Sequence, residues 1–138
     1  MGVTIKGNYS SASSYDFGAG QFASLRAKVA KAALGDKYNI YTEWLATDEN
    51  TPKEELSKKC ENFYKNAGDA VYNFCIQSDC GGKLSPKQTR ELYEVIKDVD
   101  DNWSLQYLFY QMHHPQSKED FKVLLRACIK NKCGFKWY

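Results

Sequence analysis

The sequence predicts a mainly α-helical domain, a compact bundle of about five to six helices with a small two-stranded sheet in which the N- and C-terminal strands pair. Three observations lead to this prediction. Apolar residues recur at helical spacing through most of the chain, helix start signals precede several of these stretches, and β-prone segments occur at the two ends. A chain of 138 residues is long enough for one domain, residues 1–138, with its own core.

The first third of the chain predicts a strand, a loop and two helices. Val3-Thr4-Ile5 alternates in the manner of a strand, and residues 8–20 are rich in Ser, Gly and Asn and predict a polar loop. Apolar residues at helical spacing over residues 20–34 predict a helix that ends at Gly35. A short amphipathic turn or helix is expected at residues 40–45.

Two segments of the middle third carry the same helix start signal. Thr51-Pro52-Lys53-Glu54 and Ser85-Pro86-Lys87-Gln88 each place a capping residue before a first-turn proline and a capping-box partner. The first predicted helix ends near Asn66 and the second at the acidic run of residues 98–101. Between them, an apolar face over residues 71–78 predicts a further helix.

The last third predicts two helices and a strand. Apolar residues from Trp103 onward indicate a helix that ends at His113-His114-Pro115. Ser117 is the expected cap of the final helix. The apolar stripe of that helix is Phe121, Leu124, Leu125, Cys128 and Ile129. The tail of residues 135–138 is β-prone and predicts the strand that pairs with the N-terminal one.

Composition and charge exclude several classes of protein. Nineteen basic and seventeen acidic residues give a formal charge of +2, which lacks the basic excess of a nucleic-acid-binding domain. No segment has the length and apolarity of a transmembrane helix, and the N-terminus lacks the pattern of a signal peptide. Five Cys residues, an odd number, without an export signal favour reduced thiols. We therefore expect a cytoplasmic protein without membrane contact.

The segment from Gln77 to Gln88 resembles an EF-hand in outline, since a helix, a glycine turn and a capped helix follow one another. With Gly82 at the position of the invariant glycine, the ligand positions are occupied by Gln77, Asp79, Gly81, Ser85 and Gln88. A calcium loop needs several oxygen ligands and a final bidentate Glu, whereas one carboxylate is present here. The sequence therefore predicts an EF-hand-like turn without calcium ligands.

The cysteines and histidines offer little for metal binding or catalysis. Cys75 with Cys80, and Cys128 with Cys133, are each separated by four residues, and zinc with the adjacent His113 and His114 is an alternative. However, Cys75 and Cys128 lie on apolar stripes, which favours packed free thiols. The chain contains no nucleophile elbow, P-loop or zinc-protease motif. We expect no catalytic residues, no metal and no cofactor, so the protein is predicted not to be an enzyme.

Aromatic content and charge placement favour an interaction protein. Aromatic residues make up 14% of the chain, and those on the predicted helices lie mostly on core stripes. The aromatic residues of the N-terminal loop do not lie on a core stripe, and the acidic run of residues 98–101 contrasts with a basic C-terminal end. The N-terminal loop and the acidic run are therefore candidate partner-binding surfaces. The candidate residues are Tyr9, Tyr15, Asp16, Phe17, Asp98, Asp100 and Asp101.

Three alternatives stay open at this stage. One is a metal-responsive module centred on the EF-hand-like turn. Another is nucleic-acid binding through the basic end, which would depend steeply on salt. The basic end offers Lys130, Lys132, Lys136 and Trp137. The last alternative is a small-molecule binder with aromatic pockets.

Several segments resemble a group of small uncharacterised proteins of Gram-positive bacteria and their phages. The carriers are residues 14–20 (Ser-Tyr-Asp-Phe-Gly-Ala-Gly), 77–84 (Gln-Ser-Asp-Cys-Gly-Gly-Lys-Leu), 96–101 and 128–133 (Cys-Ile-Lys-Asn-Lys-Cys). The group has no established activity, so the resemblance implies no functional residues. In a phage setting it implies a protein that binds and modulates or inhibits a host protein, including a component of a defence system.

Overall fold

The computed structural model describes residues 2–105 and 120–138. Six α-helices lie in these ranges, as the sequence predicts. They are α1 (Ala19–Leu34), α2 (Asn39–Leu45), α3 (Lys53–Ala67), α4 (Asp69–Ile76), α5 (Pro86–Ile96) and α6 (Phe121–Lys130). The helix predicted from Trp103 to His114, and the predicted Ser117 cap, fall mostly outside the described residues. Within the described ranges, no helix is both long and apolar enough to cross a membrane.

The helices pack against one four-stranded antiparallel sheet. Its strands are β1 (Gly2–Gly7), β2 (Ser14–Gly18), β3 (Gly82–Leu84) and β4 (Phe135–Trp137), in the order β2-β1-β4-β3. The predicted pairing of the two terminal strands is confirmed, since Ile5 of β1 lies opposite Trp137 of β4. The prediction of two strands is wrong, because β2 and β3 extend the sheet on either side.

The two additional strands come from segments whose composition indicates turns. The prediction of a loop over residues 8–20 is wrong for β2, where Phe17 pairs with Val3 and both side chains are buried. The strand β3 lies inside the EF-hand-like turn, where Leu84 pairs with Phe135. In both segments, pairing with a neighbouring strand outweighs the local preference of Ser, Gly and Asp for turns.

One of the two predicted capping boxes is present. Ser85 Oγ accepts a hydrogen bond from the Gln88 amide at 3.1 Å, and Gln88 Oε1 accepts one from the Ser85 amide at 2.9 Å. The Thr51 box is wrong, because Pro52 occupies the N-cap of α3 and the Thr51 hydroxyl accepts instead from the Asp48 amide. The preceding turn therefore uses the hydroxyl that the helix was expected to use.

Residues with a positive φ follow three of the described helices: Gly35 after α1, Gly68 after α3 and Lys132 after α6. The predicted Gly35 cap ends α1 with φ of 58°. Beyond α6, Lys132 has φ of 54° and its amide donates to Ile129 O at 3.1 Å, while the Cys133 amide donates to Cys128 O at 3.0 Å. These bonds form a Schellman motif, which brings Cys133 against the buried Cys128. The free Cys75 and Cys128 are both buried, as their stripes predict.

Aromatic rings form two groups, one in the core and one toward the surface. The core cluster surrounds Phe74, whose ring centroid lies 5.4–6.1 Å from those of four neighbours. Its members are Phe22, Phe74, Phe121, Phe135 and Trp137. The outer cluster joins α2, α3 and α4 through rings 5.2–5.9 Å apart. Its members are Tyr38, Tyr41, Trp44, Phe63, Tyr64 and Tyr72.

Candidate functional site

A pocket of about 270 Å³ lies where the two aromatic clusters face each other. One face of α1 forms its floor, the end of α2 forms one wall, and the end of α4 forms the other. The spacing of the α1 residues is i, i+3, i+4 and i+7, which places them on one side of the helix. The lining residues are Ala19, Phe22, Ala23, Arg26, Tyr41, Trp44, Leu45, Cys75, Ile76, Gln77, Ser78 and Asp79. We call this site the Arg26 pocket.

Small side chains on α1 create the space. Ala19 and Ala23 end at Cβ, whereas Phe22 and Arg26 on the same face extend from the helix. Tyr41 and Trp44 cannot move in to fill the gap, because their rings lie 5.6 Å and 5.3 Å from Phe63 in the outer cluster. The pocket is therefore preformed, as most ligand sites are.

The guanidinium of Arg26 packs against rings of the core cluster. Its Cζ is 4.4 Å from the centroid of the Phe22 ring and 5.7 Å from that of Trp137, within the range of cation–π attraction. Its Nη2 donates a hydrogen bond of 2.5 Å to Gln77 O at the end of α4. A cation at this point also interacts favourably with the negative end of the α4 dipole.

One donor of Arg26 has no partner. The Nε atom is buried and makes no hydrogen bond within the described residues. Among the described residues, no carboxylate forms an ion pair with this guanidinium. Asp79 nevertheless lies near enough to favour the charged form of Arg26. Burial lowers the pKa of Arg26, but arginine keeps its charge in proteins. Leaving such a group unpaired costs free energy.

The Cys75 thiol and the Tyr41 hydroxyl of the pocket are neutral over ordinary pH. Burial raises the pKa of the Cys75 thiol to about 12, and burial also raises the pKa of the Tyr41 hydroxyl well above its usual value. Cys75 is consequently a poor nucleophile in the folded protein. The lining residues therefore carry one positive and one negative side chain, Arg26 and the exposed Asp79, and the pocket is neutral in total.

Apolar side chains are exposed at the rim. Leu45 and Ile76 are 59% and 38% exposed, and both line the pocket. Only two other large hydrophobic residues of the described chain are comparably exposed, Tyr64 on α3 and Tyr138 at the end of the chain. Exposed apolar groups beside a concave site are typical of an interaction surface.

The N-terminal residues predicted to bind a partner lie away from this pocket. Asp16 is exposed on the edge strand β2, where its Oδ1 accepts a hydrogen bond from the hydroxyl of Thr4 at 2.5 Å. Tyr9 and Tyr15 are partly buried against the core. Phe17 is 2% exposed and its ring lies 5.9 Å from Phe22, so it is a core residue that offers no surface to a partner.

The predicted acidic run also lies apart from the pocket. Asp98, Asp100 and Asp101 are exposed, and Asp101 lies 3.9 Å from the Lys28 ammonium. Two residues rotate a helix by about 200°, so Lys28 and the acidic run lie on the side of α1 opposite to Arg26. β2 leads directly into Ala19, about 13 Å along α1 from Lys28. The two predicted surfaces therefore lie beside different turns of α1.

The EF-hand-like turn uses its polar groups internally. Gln77 Oε1 accepts a hydrogen bond from the Lys83 amide at 3.0 Å, and Gln77 Nε2 donates one of 2.8 Å to Lys83 O. Gln88, at the last ligand position, is occupied by the capping box and by a bond to Asp69 Oδ2. Across residues 2–105 and 120–138, no group of three or more His, Cys, Asp or Glu side chains is placed to hold a metal ion. The predicted spare ligands His113 and His114 lie outside these ranges.

Sequence reasoning missed the Arg26 pocket. A signal was present on α1, where Arg26 follows Phe22 by four residues and therefore lies beside the apolar stripe. The contribution of α2 and α4 could not be deduced, because it depends on how three helices pack.

The comparisons with known proteins give no further guide. A scan against protein-family models, a search of curated proteins and a search of solved structures each returned no match.

Proposed function

We propose that this protein is a non-enzymatic protein-interaction module whose partner-binding surface centres on the Arg26 pocket. The observation that carries the proposal is the exposure of Leu45 and Ile76 at the rim of a pocket lined by aromatic rings. A partner that inserts an apolar side chain would bury these rim residues together with the pocket walls. The hydrophobic effect would then favour the complex.

The residue types of the pocket support the same proposal. Arg26, Tyr41 and Trp44 belong to the three types that most often dominate the binding energy of protein interfaces. The rings of Tyr41 and Trp44 are held against Phe63, so little rotamer freedom would be lost when a partner binds. The pocket would act as a preformed acceptor for one anchoring side chain.

The proposed partner is another protein, and its identity as a host protein or a defence component stays a prediction. The exposed acidic run, with Asp98 and Asp100, stays a separate candidate surface. The alternatives of a metal-responsive module and of nucleic-acid binding also stay predictions. The Arg26 pocket favours neither of them, because it has no cluster of carboxylates and no net positive charge.

Site-specific photo-crosslinking tests the proposal. A photoreactive amino acid replaces Leu45 in one variant and Tyr64 in a matched control, since both side chains are about half exposed but only Leu45 borders the pocket. Both photoreactive variants are made with Ala23 intact and also with the substitution Ala23→Trp. Ala23 is exposed and lines the pocket, so an indole there would fill the pocket without disturbing the core.

We expect a discrete crosslinked product from position 45 in extracts of the native host. Ala23→Trp should abolish this product, and position 64 should not give it. Crosslinks of equal yield from both positions, or a product at position 45 that Ala23→Trp leaves unchanged, would show that the pocket is not the partner-binding surface.

A further inference from the structure

The unsatisfied guanidinium indicates which partner segment the pocket accepts. We infer that the Arg26 pocket binds a peptide segment in which a large apolar side chain lies next to a carboxylate, so that the apolar group enters the pocket and the carboxylate pairs with Arg26. This inference rests on the proposed function and names the chemistry of the partner.

Charge complementarity is the first argument. Arg26 is a half-buried cation that uses one of its N–H groups on Gln77 O, and its side chain lines the pocket without an ion-pair partner among the described residues. A guanidinium carries five N–H donors arranged to match a carboxylate. Because the pocket walls are apolar, a carboxylate that reaches Arg26 would be attracted more strongly than at an open surface.

The size and lining of the pocket specify the neighbouring group. A cavity of about 150 Å³ admits a benzene ring, and this pocket has about 270 Å³. It therefore has room for one aromatic or branched aliphatic side chain together with a carboxylate. The walls are apolar like the incoming side chain, because Phe22, Trp44 and Ile76 line the space where it would lie.

The charges of the pocket favour a carboxylate over a phosphate. Asp79 lines the same pocket and lies near Arg26, so it would repel a phosphate dianion more strongly than a carboxylate monoanion. A peptide accommodates this arrangement, because a backbone N–H beside its carboxylate can donate to Asp79. The neutral pocket therefore favours a peptide over a nucleic acid or a phosphorylated ligand.

Selection from a displayed library of random peptides tests the inference. Peptides are selected on the complete chain and then sorted by whether they still bind Ala23→Trp. Ser24→Trp is the matched control, since Ser24 is equally exposed on α1 but does not line the pocket. Binders that are lost only with Ala23→Trp are pocket-dependent.

We expect the pocket-dependent peptides to carry a large apolar residue beside Asp, Glu or a free C-terminus. A synthetic copy should lose about tenfold in affinity when its carboxylate is replaced by the isosteric amide, a change typical of one charge-assisted hydrogen bond. Arg26→Gln should remove this discrimination, and Arg26→Lys should restore part of it. The comparison of acid and amide in the unaltered protein needs no variant to fold.

Four results would overturn the inference. Pocket-dependent peptides without a carboxylate preference, or acid and amide copies that bind equally, would refute it and leave the proposed function in place. A library that returns no peptide sensitive to Ala23→Trp would refute the proposed function as well. Binding of free 4-phenylbutyrate as tight as that of the peptide would show that the pocket takes a small molecule instead.

Discussion

Two adjacent glycines should respond in opposite ways to the same substitution. Gly82 lies opposite Trp137 across the β3–β4 ladder, and a Cβ added at Gly82 would be 2.2 Å from Cζ2 of the indole. A Cβ added at Gly81 would have no heavy atom within 4 Å, and the φ of Gly81 is not positive. Gly82→Ala is therefore the perturbation, and Gly81→Ala is its matched control.

The magnitude follows from the surroundings of Trp137. Ordinary contacts begin near 3.4 Å, so the ring would have to move by more than 1 Å. It is 1% exposed, its centroid lies 5.4 Å from that of Phe74, and its Nε1 donates a hydrogen bond of 2.8 Å to Ser78 O. Overpacking costs about 1–3 kcal/mol, and loss of the hydrogen bond costs about 1 kcal/mol. We expect Gly82→Ala to lower the free energy of unfolding by about 2–4 kcal/mol.

Urea unfolding followed by far-ultraviolet circular dichroism measures the difference. At about 3–4 °C per kcal/mol for a chain of this size, Gly82→Ala should also lower the melting temperature by about 6–16 °C. Gly81→Ala should be neutral or stabilising by up to about 1 kcal/mol, because alanine restricts the unfolded chain. Equal unfolding midpoints for the two variants would refute the placement of Trp137 over β3. Near-ultraviolet circular dichroism reports on the indole independently.

Three further predictions concern the helices and a buried thiol. Gly20→Ala should raise the free energy of unfolding by about 0.5 kcal/mol, because Gly20 is helical and exposed with open space at Cβ; a melting temperature below that of the unaltered chain would contradict this. Ser85→Ala should cost about 1 kcal/mol in urea unfolding by removing the cap on the Gln88 amide, and no loss would mean that water replaces the cap. Burial raises the pKa of the Cys75 thiol from 9.0 to about 12. The stability that the neutral thiol contributes is therefore full below pH 9 and is lost as the pH rises toward 12. The free energy of unfolding, measured across this range, should fall less steeply with pH in Cys75→Ala than in the unaltered chain.

The helices could be predicted because their signals are local. The apolar spacing of α1 and its end at Gly35, and the capping box at Ser85, depend on residues within a few positions of one another. The pairing of β1 with β4 was also predictable, since the β-prone ends of a domain are often close in space.

The remaining strands and the binding site were not predictable because they depend on distant partners. Phe17 belongs to the core only because β2 pairs with β1, and without that pairing its polar neighbours indicate a loop. Leu45 and Ile76 are separated by thirty-one positions in the sequence, and only the packing of α2 against α1 and α4 brings both to one pocket. The predicted surfaces at Asp16 and Asp98 were identified from aromatic content and charge placement; both carboxylates are exposed, and their role in binding stays a prediction.

The identity of residue 26 helps to separate a structural role from a binding role. The contact with Gln77 O stabilises the end of α4, and a lysine could supply that bond. A lysine could not place a flat cation over Phe22 while donating to Gln77 O, whereas the guanidinium does both. Neither contact uses the Nε, which is buried and has no acceptor among the described residues. A buried polar atom without a partner breaks a local rule, as functional sites often do, and a partner's carboxylate would pair with the guanidinium where it lines the pocket.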